Sequence, residues 1–331
     1  MATLQEVARR ARVSIATVSR VLNTSDKVVP ETRAAVEQAL LDLGYRPSRV
    51  ARRLRMNSGH AHLVGLIIPD IQNPFYAEIA RGVEDAAYAN QYALILCNSD
   101  ETQEKERFYL DVMQAESVDG IVLPPFDDTD GGVVEMVKTG IPVVCVDRSH
   151  ARVKTDLVEV DNYQGALEAV RHLIAKGHTS IALIEGRTQV STSRERRRGY
   201  LDALAAHGIA PRKELMRAGD FKQESGRVLT NDLLDLRKPP TARFACNNLM
   251  TVGALSALHQ RGIRVPKKVA LVGFDDLPWA EALDPPPTVV RQPAYDVGRQ
   301  AMELLLKRIM EPNRPRVTVR LLPELMIRKS T

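Results

Sequence analysis

From His62 onward the chain alternates short, mostly apolar runs with longer amphipathic segments, and this alternation limits the fold more than any other feature. The runs Leu63–Pro69, Ala93–Cys97, Gly120–Pro124 and Pro142–Val146 form a first set. A second set follows at Leu157–Val160, Ile181–Glu185, Leu215–Ala218, Arg243–Cys246 and Val269–Gly273. Helix candidates lie between them at Tyr76–Asn90, Gln103–Ala115, Gln164–Lys176, Thr192–His207, Gly226–Leu234 and Met250–Gln260. Strands that are apolar along their whole length are buried on both faces, which implies parallel sheets between layers of helices. Two sets of similar size predict two lobes of one α/β architecture. The tail, Thr288–Gln292, Val297–Ile309 and Val317–Ile327, is expected to cross back and complete both. With 331 residues, 44% of them hydrophobic, the chain can bury cores of that size.

The first sixty residues follow a different pattern. Leu4, Val7, Ala8 and Ala11 fall at helical spacing, Arg12-Val13-Ser14 breaks the period, and Ser14 is a good N-cap for a second helix. In that helix Ala16, Ser19, Arg20 and Asn23 share one face, while Val18, Val21 and Leu22 point the other way. Two short helices joined by a tight turn, the second with a polar and basic free face, form the helix-turn-helix arrangement that enters a DNA major groove. A third helix begins at Pro30, carries the stripe Val36, Ala39, Leu40 and Leu43, and stops at Gly44. Charge is concentrated here. Residues 1–60 hold 11 Lys/Arg against 5 Asp/Glu, and the other 271 hold 35 against 36. A basic head on a nearly neutral body is the footprint of a nucleic-acid reader with a separate second domain.

The signature V-A-x-x-A-x-V-S-x-x-T-V-S-R-V-L-N over Val7–Asn23 and the R-V-A-x-x-L segment at Arg49–Leu54 closely resemble the LacI/GalR family of bacterial transcription regulators. The resemblance implies an all-α helix-turn-helix head (1–46), a hinge helix or linker (47–60), and an effector-binding and dimerisation domain (61–331) of two doubly wound parallel-sheet lobes, similar to periplasmic ribose-binding protein. It also implies phosphate contacts from several of Ser14, Thr17, Ser19 and Asn23. Arg20 can make a bidentate contact to guanine, worth roughly 1–3 kcal/mol of discrimination. Ile15 and Ala16 stand where family members differ most; both are apolar, so they can meet thymine methyls or pyrimidine edges but cannot hydrogen-bond. In the hinge, Arg49, Arg52, Arg53 and Arg55 repel one another, so an isolated helix there is marginal. The resemblance implies that Ala51, Leu54 and Arg55 contact the operator, with Leu54 wedged into the minor groove.

In parallel sheets ligands bind beyond the C-terminal strand ends, and two facing lobes place those ends around one cleft. The residues expected there are planar amides, carboxylates, guanidinium groups and aromatic rings, a mixture suited to sugars. On the resemblance, Asn73, Asp147, Arg148, Arg196, Asn247, Asp275 and Gln292 would hydrogen-bond a sugar, and Phe75, Tyr76 and Phe221 would sandwich it. The chain departs from the family pattern at Asn247-Asn248, where relatives usually carry Asn-Asp, which puts a helix cap or a ligand contact in doubt. Arg194, Arg196, Arg197 and Arg198 make one segment unusually basic, which leaves a phosphorylated or carboxylated effector open.

Other classes are weakly supported. G-x-G-x-x-G and G-x-x-x-x-G-K-[ST] are missing from the lobes, no Ser elbow or Cys–His pairing stands out, and the seven histidines lack metal spacing. Neither an enzyme nor a metal or cofactor is expected. Cys97, Cys145 and Cys246 each end an apolar run and are expected to be buried thiols of a reducing cytoplasm. No apolar run approaches the ~20 residues of a membrane helix, and no signal peptide is expected. An exported sugar-binding protein, the nearest alternative by fold, does not account for the basic head. The expected protein is a cytoplasmic homodimeric repressor that binds palindromic double-stranded operator DNA and is released by a sugar or sugar derivative. The alternative on the same scaffold is a non-sugar or phosphorylated corepressor that tightens DNA binding.

Overall fold

The computed structural model describes residues 2–23, 28–45, 61–129 and 131–331, with the side chain of Asn23 excepted. Two compact units divide the chain, Met1–Ala61 and His62–Thr331.

The first unit contains helices α1 (Leu4–Ala11), α2 (Ile15–Asn23) and α3 (Pro30–Asp42). Thr3 and Glu6 form a reciprocal capping box at the start of α1, which satisfies two backbone donors that helix geometry leaves open. The turn to α2 is made by Arg12 in the left-handed region (φ 56°), with its N–H returning to Ala8 and Arg9 carbonyls. Ser14 caps α2 as expected, its Oγ accepting from the Thr17 N–H at 3.1 Å. Val7, Ala8, Val18, Val21, Val36 and Ala39 form one small core. Arg10 ties α1 to α3 through Asp42 at 2.7 Å. Residues 47–60, where the hinge is expected, including Ala51, Leu54 and Arg55, lie outside the described residues.

The second unit has two lobes. One sheet runs in the order β11-β5-β4-β3-β1-β2, built from β1 (Leu63–Ile68), β2 (Ala93–Asn98), β3 (Gly120–Leu123), β4 (Val143–Val146), β5 (Asp156–Val160) and β11 (Thr318–Leu321). All its pairings are parallel. Its helices are α4 (Pro74–Ala89), α5 (Gln103–Ala115), α6 (Gly131–Lys138) and α11 (Ala294–Met310). The other sheet runs β12-β10-β9-β8-β6-β7, from β6 (Ile181–Glu185), β7 (Met216–Ala218), β8 (Ala242–Ala245), β9 (Ala270–Phe274), β10 (Thr288–Arg291) and β12 (Glu324–Met326). Only β12 is antiparallel there. Its helices are α7 (Asn162–Ala175), α8 (Ser191–Ala206), α9 (Gln223–Leu234) and α10 (Asn248–Gln260). Each lobe has its own apolar cores.

The chain passes between lobes at 160–162, 291–294 and 321–324, so the expected return of the tail to both lobes is observed. Two expectations are corrected. Leu157–Val160 belongs to the first lobe, because β5 pairs with β4 and β11. Helix α6 was not anticipated: it is short, and Gly131-Gly132 at its start have low helix propensity. Cys145 and Cys246 are buried thiols, whereas Cys97, on the edge strand β2, is only half-buried.

Candidate functional site

On the head, Ser14, Ile15, Ala16 and Arg20 are exposed, Thr17 and Ser19 are half-buried, and Val18 is fully buried. Ile15, 46% exposed, is a large apolar side chain held at the start of α2. The buried face, Val18 and Val21 with Leu22 partly covered, packs on α1 and α3 and so fixes which face remains outward. Ser14 Oγ and Thr17 Oγ1 lie 2.9 Å apart at the helix start, where hydroxyls and backbone N–H groups favour a phosphate.

In the second unit nine of the ten residues expected in the cleft line one small cavity of about 20 Å³: Asn73, Phe75, Tyr76, Asp147, Arg148, Arg196, Phe221, Asn247 and Asp275. Asp147, Arg148, Phe221, Asn247 and Asp275 follow closely on strand ends, while Phe75, Tyr76 and Arg196 sit on the helices that come next. Asn73 caps α4, accepting from Phe75 N at 3.0 Å, and Asn247 caps α10, accepting from Met250 N at 2.9 Å. Asp147, Phe221 and Asp275 all have left-handed backbones, with φ of 60°, 68° and 67°. Such conformations are costly for side chains other than Gly and persist where surrounding structure over-determines them.

Gln292, the tenth residue, stands behind the wall. Its Nε2 donates to Asp275 Oδ1 at 2.5 Å, and it borders an adjoining cleft of about 390 Å³ instead. That second cleft is roomier and mixes Pro74, Leu277, Pro278 and Pro293 with the exposed charges of Glu78, Arg291 and Asp296. The convergent polar chemistry belongs to the smaller cavity.

One hydrogen-bonded chain organises the first lobe's side. Arg148 Nη2 donates to the Tyr76 hydroxyl at 3.2 Å, which donates to Asp147 Oδ2 at 3.0 Å. Burial pushes the Asp147 carboxyl up against the opposing pull of Arg148 and Arg196. Asp275 is pushed up to about 6 by burial, with Arg196 and Gln292 acting the other way. In the second lobe Arg196, 3% exposed, lies over the Phe274 ring at 3.8 Å, and its Nε donates to Asn162 Oδ1 at 2.7 Å. Only Arg196 of the basic segment enters the cavity. Arg194 meets Asp128, Arg197 meets Glu185, and Arg198 meets Glu195, all at partly exposed positions.

Residues 3–48 match the family described as bacterial regulatory proteins, lacI family, and residues 170–331 match the periplasmic binding protein-like domain. The HTH-type transcriptional repressor PurR of Photobacterium profundum is 36% identical over 332 residues, spanning 100% of this chain and 98% of the relative. Catabolite control protein A of Priestia megaterium is 39% identical over 306 residues, 92% of each chain. The chain belongs to the LacI family of bacterial transcription regulators. Among solved structures, the transcriptional regulator CelR–cellobiose complex superposes with a TM-score of 0.76 at 34% identity, covering 100% of both chains. The lac repressor dimer bound to operator and the anti-inducer ONPF gives 0.87 at 26% identity, covering 100% of this chain and 99% of that one.

LacI-family membership makes the protein a DNA-binding transcription regulator with an effector-binding domain; the family's repressors are not enzymes. Among the described residues no helix is long and apolar enough to cross a membrane.

The family pattern did not single out four further residues that the fold brings to the cleft: Asp70, Glu101, Lys222 and Thr192. Lys222 reaches across the lobes to Asp70 at 2.7 Å and Asp100 at 3.1 Å. Arg187 crosses to Glu101 and stacks on Phe126, 4.2 Å from its centroid. These pairs are separated by 61 to 152 residues, so no local pattern could reveal them. The Asn247-Asn248 departure is resolved as well. Asn247 supplies the cap, and Asn248 Nδ2 donates across the lobes to Asn73 Oδ1 at 2.9 Å. An Asp at 248 could not donate that bond while ionised.

Proposed function

We propose that the chain is a repressor that binds a palindromic operator as a homodimer in the cytoplasm and is released by a sugar or sugar derivative held in the interlobe cleft. The organisation proposed is 1–46 for DNA reading, 47–60 for the hinge and 61–331 for effector binding and dimerisation. One short recognition helix supplies few base contacts, and a two-fold protein matches a two-fold site. Ser14, Thr17, Ser19 and Asn23 hold phosphates, while Ile15, Ala16 and Arg20 face base edges. Ala51, Leu54 and Arg55 act at the operator centre. In the cleft Asn73, Asp147, Arg148, Arg196, Asn247 and Asp275 bind hydroxyls, Phe75, Tyr76 and Phe221 cover the ring, and Gln292 holds Asp275. Entry of a sugar into a 20 Å³ cavity requires the lobes to part, and reclosure around it moves the strands that lead back to the hinge.

The observation that carries the sugar reading is the pairing of unused donors and acceptors. Asp147 Oδ1 and Arg148 Nε, on adjacent cleft residues, are buried without hydrogen-bond partners among the described residues. A hydroxyl accepts from one and donates to the other, and buried polar groups are seldom left unpaired. CelR is solved with cellobiose, and a LacI-family regulator of Enterococcus faecium with bound ribose, at 29% identity and TM-score 0.74 over 81% of this chain and 98% of that one. A thermal-shift screen of sugars tests the proposal, since a ligand bound only by the folded state raises the melting temperature. Hits should be lost in Arg196→Ala and Asp275→Ala while selected operator DNA is still bound. Hits retained in both variants would move the effector elsewhere.

A further inference from the structure

We infer that Glu101 makes the cleft select neutral polyhydroxylated ligands over phosphorylated or carboxylated ones, because its carboxylate already occupies the position between Arg148 and Arg187 that an anionic ligand would need. The inference rests on the cleft being the effector site and specifies the chemistry of what that site takes.

Glu101 projects from the first lobe just beyond β2, from a backbone in the left-handed region (φ 56°), with its side chain 8% exposed. Its Oε1 accepts from Arg148 Nη2 at 2.5 Å and its Oε2 from Arg148 Nη1 at 3.2 Å. The same Oε2 accepts from Arg187 Nη2 of the other lobe. The bidentate fork with which a guanidinium would grip a phosphate or carboxylate is therefore filled from within the protein. The remaining terminal donors are also engaged. Arg148 Nη1 reaches the carbonyls of Pro125 and Phe126 at 3.3 and 3.5 Å, and Arg187 Nη2 reaches the Phe126 carbonyl at 3.2 Å. Burial alone would depress the Arg148 guanidinium, and Glu101 together with Tyr76 and Asp147 outweighs it, holding Arg148 above its ordinary value.

The other cations of the cleft are committed too. Lys222 is held by Asp70 and Asp100, and Arg196 by Asn162, the Cys246 carbonyl and the Phe274 face. Around the cavity and the Glu101 position, the carboxylates of Asp70, Glu101, Asp147 and Asp275 balance the cations of Arg148, Arg187, Arg196 and Lys222, four to four. An added anion upsets that balance, and with the terminal nitrogens engaged by Glu101 the donors left to it on Arg148 and Arg187, among the described residues, are the side-on Nε groups. A phosphate oxygen, which only accepts, also leaves the orphaned Asp147 Oδ1 unsatisfied, whereas a hydroxyl satisfies it.

The test compares full-length wild type with Glu101→Gln by thermal shift and calorimetry. The probes are ribose and glucose, ribose 5-phosphate and glucose 6-phosphate, and sodium sulfate against sodium chloride at equal ionic strength. Wild type should bind a neutral sugar at least about tenfold more tightly than its phosphate ester. Sulfate should raise the melting temperature of Glu101→Gln more than that of wild type, and the variant's preference for the neutral sugar should collapse. A wild type that binds a phosphate ester as tightly as the parent sugar overturns the inference, and that arm decides even if the variant does not fold. Should none of the sugars bind wild type, the sulfate comparison decides, and equal sulfate shifts in the two proteins overturn it. Failure of the cleft reading shows differently: sugar shifts would then persist in Arg196→Ala and Asp275→Ala.

Discussion

Asp275 shows what burial does to one carboxyl. With its value pushed up to about 6, it binds a proton in the folded state at pH values where the unfolded chain has lost it. The sign follows: the proton's contribution to stability is full below the ordinary carboxyl range and is lost as pH rises through about 6. If the carboxylate accepts from the effector, affinity falls as pH drops below that value, and Asp275→Asn removes the step; calorimetry at a series of pH values checks both. Arg243 is a starker case. It is fully buried in β8, with no hydrogen-bond partner for any guanidinium nitrogen among the described residues, and burial lowers it to about 10. Below that value it carries an uncompensated charge in an apolar core, so Arg243→Met should stabilise the protein by roughly 1–4 kcal/mol in denaturant unfolding. Neither shift was legible in the sequence. Asp275 was identifiable as a strand-end carboxylate, but its burial depends on Gln292 and Arg196 arriving from elsewhere in the chain. Arg243 lies in a run recognisable as a strand, yet nothing local marks it as inward-facing and unpartnered.

At the scale of elements, helix α4 and helix α11 pack through two glycines. A Cβ on Gly298 would lie 2.0 Å from the Ile79 carbonyl oxygen, and one on Gly82 would lie 2.1 Å from the Tyr295 carbonyl oxygen. Both obstacles are backbone, so the helices themselves must separate. Gly298→Ala is expected to cost about 1–3 kcal/mol despite alanine's better helix propensity, measured as a lower urea midpoint at unchanged m-value. In the head, Thr3→Ala removes the hydroxyl that accepts from Glu6 N and should cost about 1 kcal/mol of stability in the same assay. Elements were the most readable level. Gln103–Ala115 matches its expected bounds, and most other helices differ by one to three residues at an end, because apolar periodicity is a local property. Lobe membership was less readable: β5 joins the first sheet because its backbone pairs with β4 and β11, and pairing partners are not written in a strand's own residues.

Across the whole molecule the proposed function is a coupling between two equilibria. Effector binding and operator binding should oppose one another by the same factor, about 1–3 kcal/mol, whichever is varied first. Titrating operator with and without effector, then effector with and without operator, checks this reciprocity; unequal factors would mean that one of the two measurements reports a different site. The amino-acid sequence by itself determined the composition of the protein: a basic head with helix-turn-helix spacing, a two-lobed α/β body, and a LacI-family signature. It did so because helical and strand periods, caps and local charge are all set within a few residues. Only the tertiary structure decided how the cleft is wired. Glu101 between Arg148 and Arg187, Lys222 on Asp70, and Asn248 on Asn73 join residues 47 to 175 positions apart. Such contacts depend on where strands within one sheet and across the two sheets bring their ends, and a long-range distance of that kind has no local sequence counterpart.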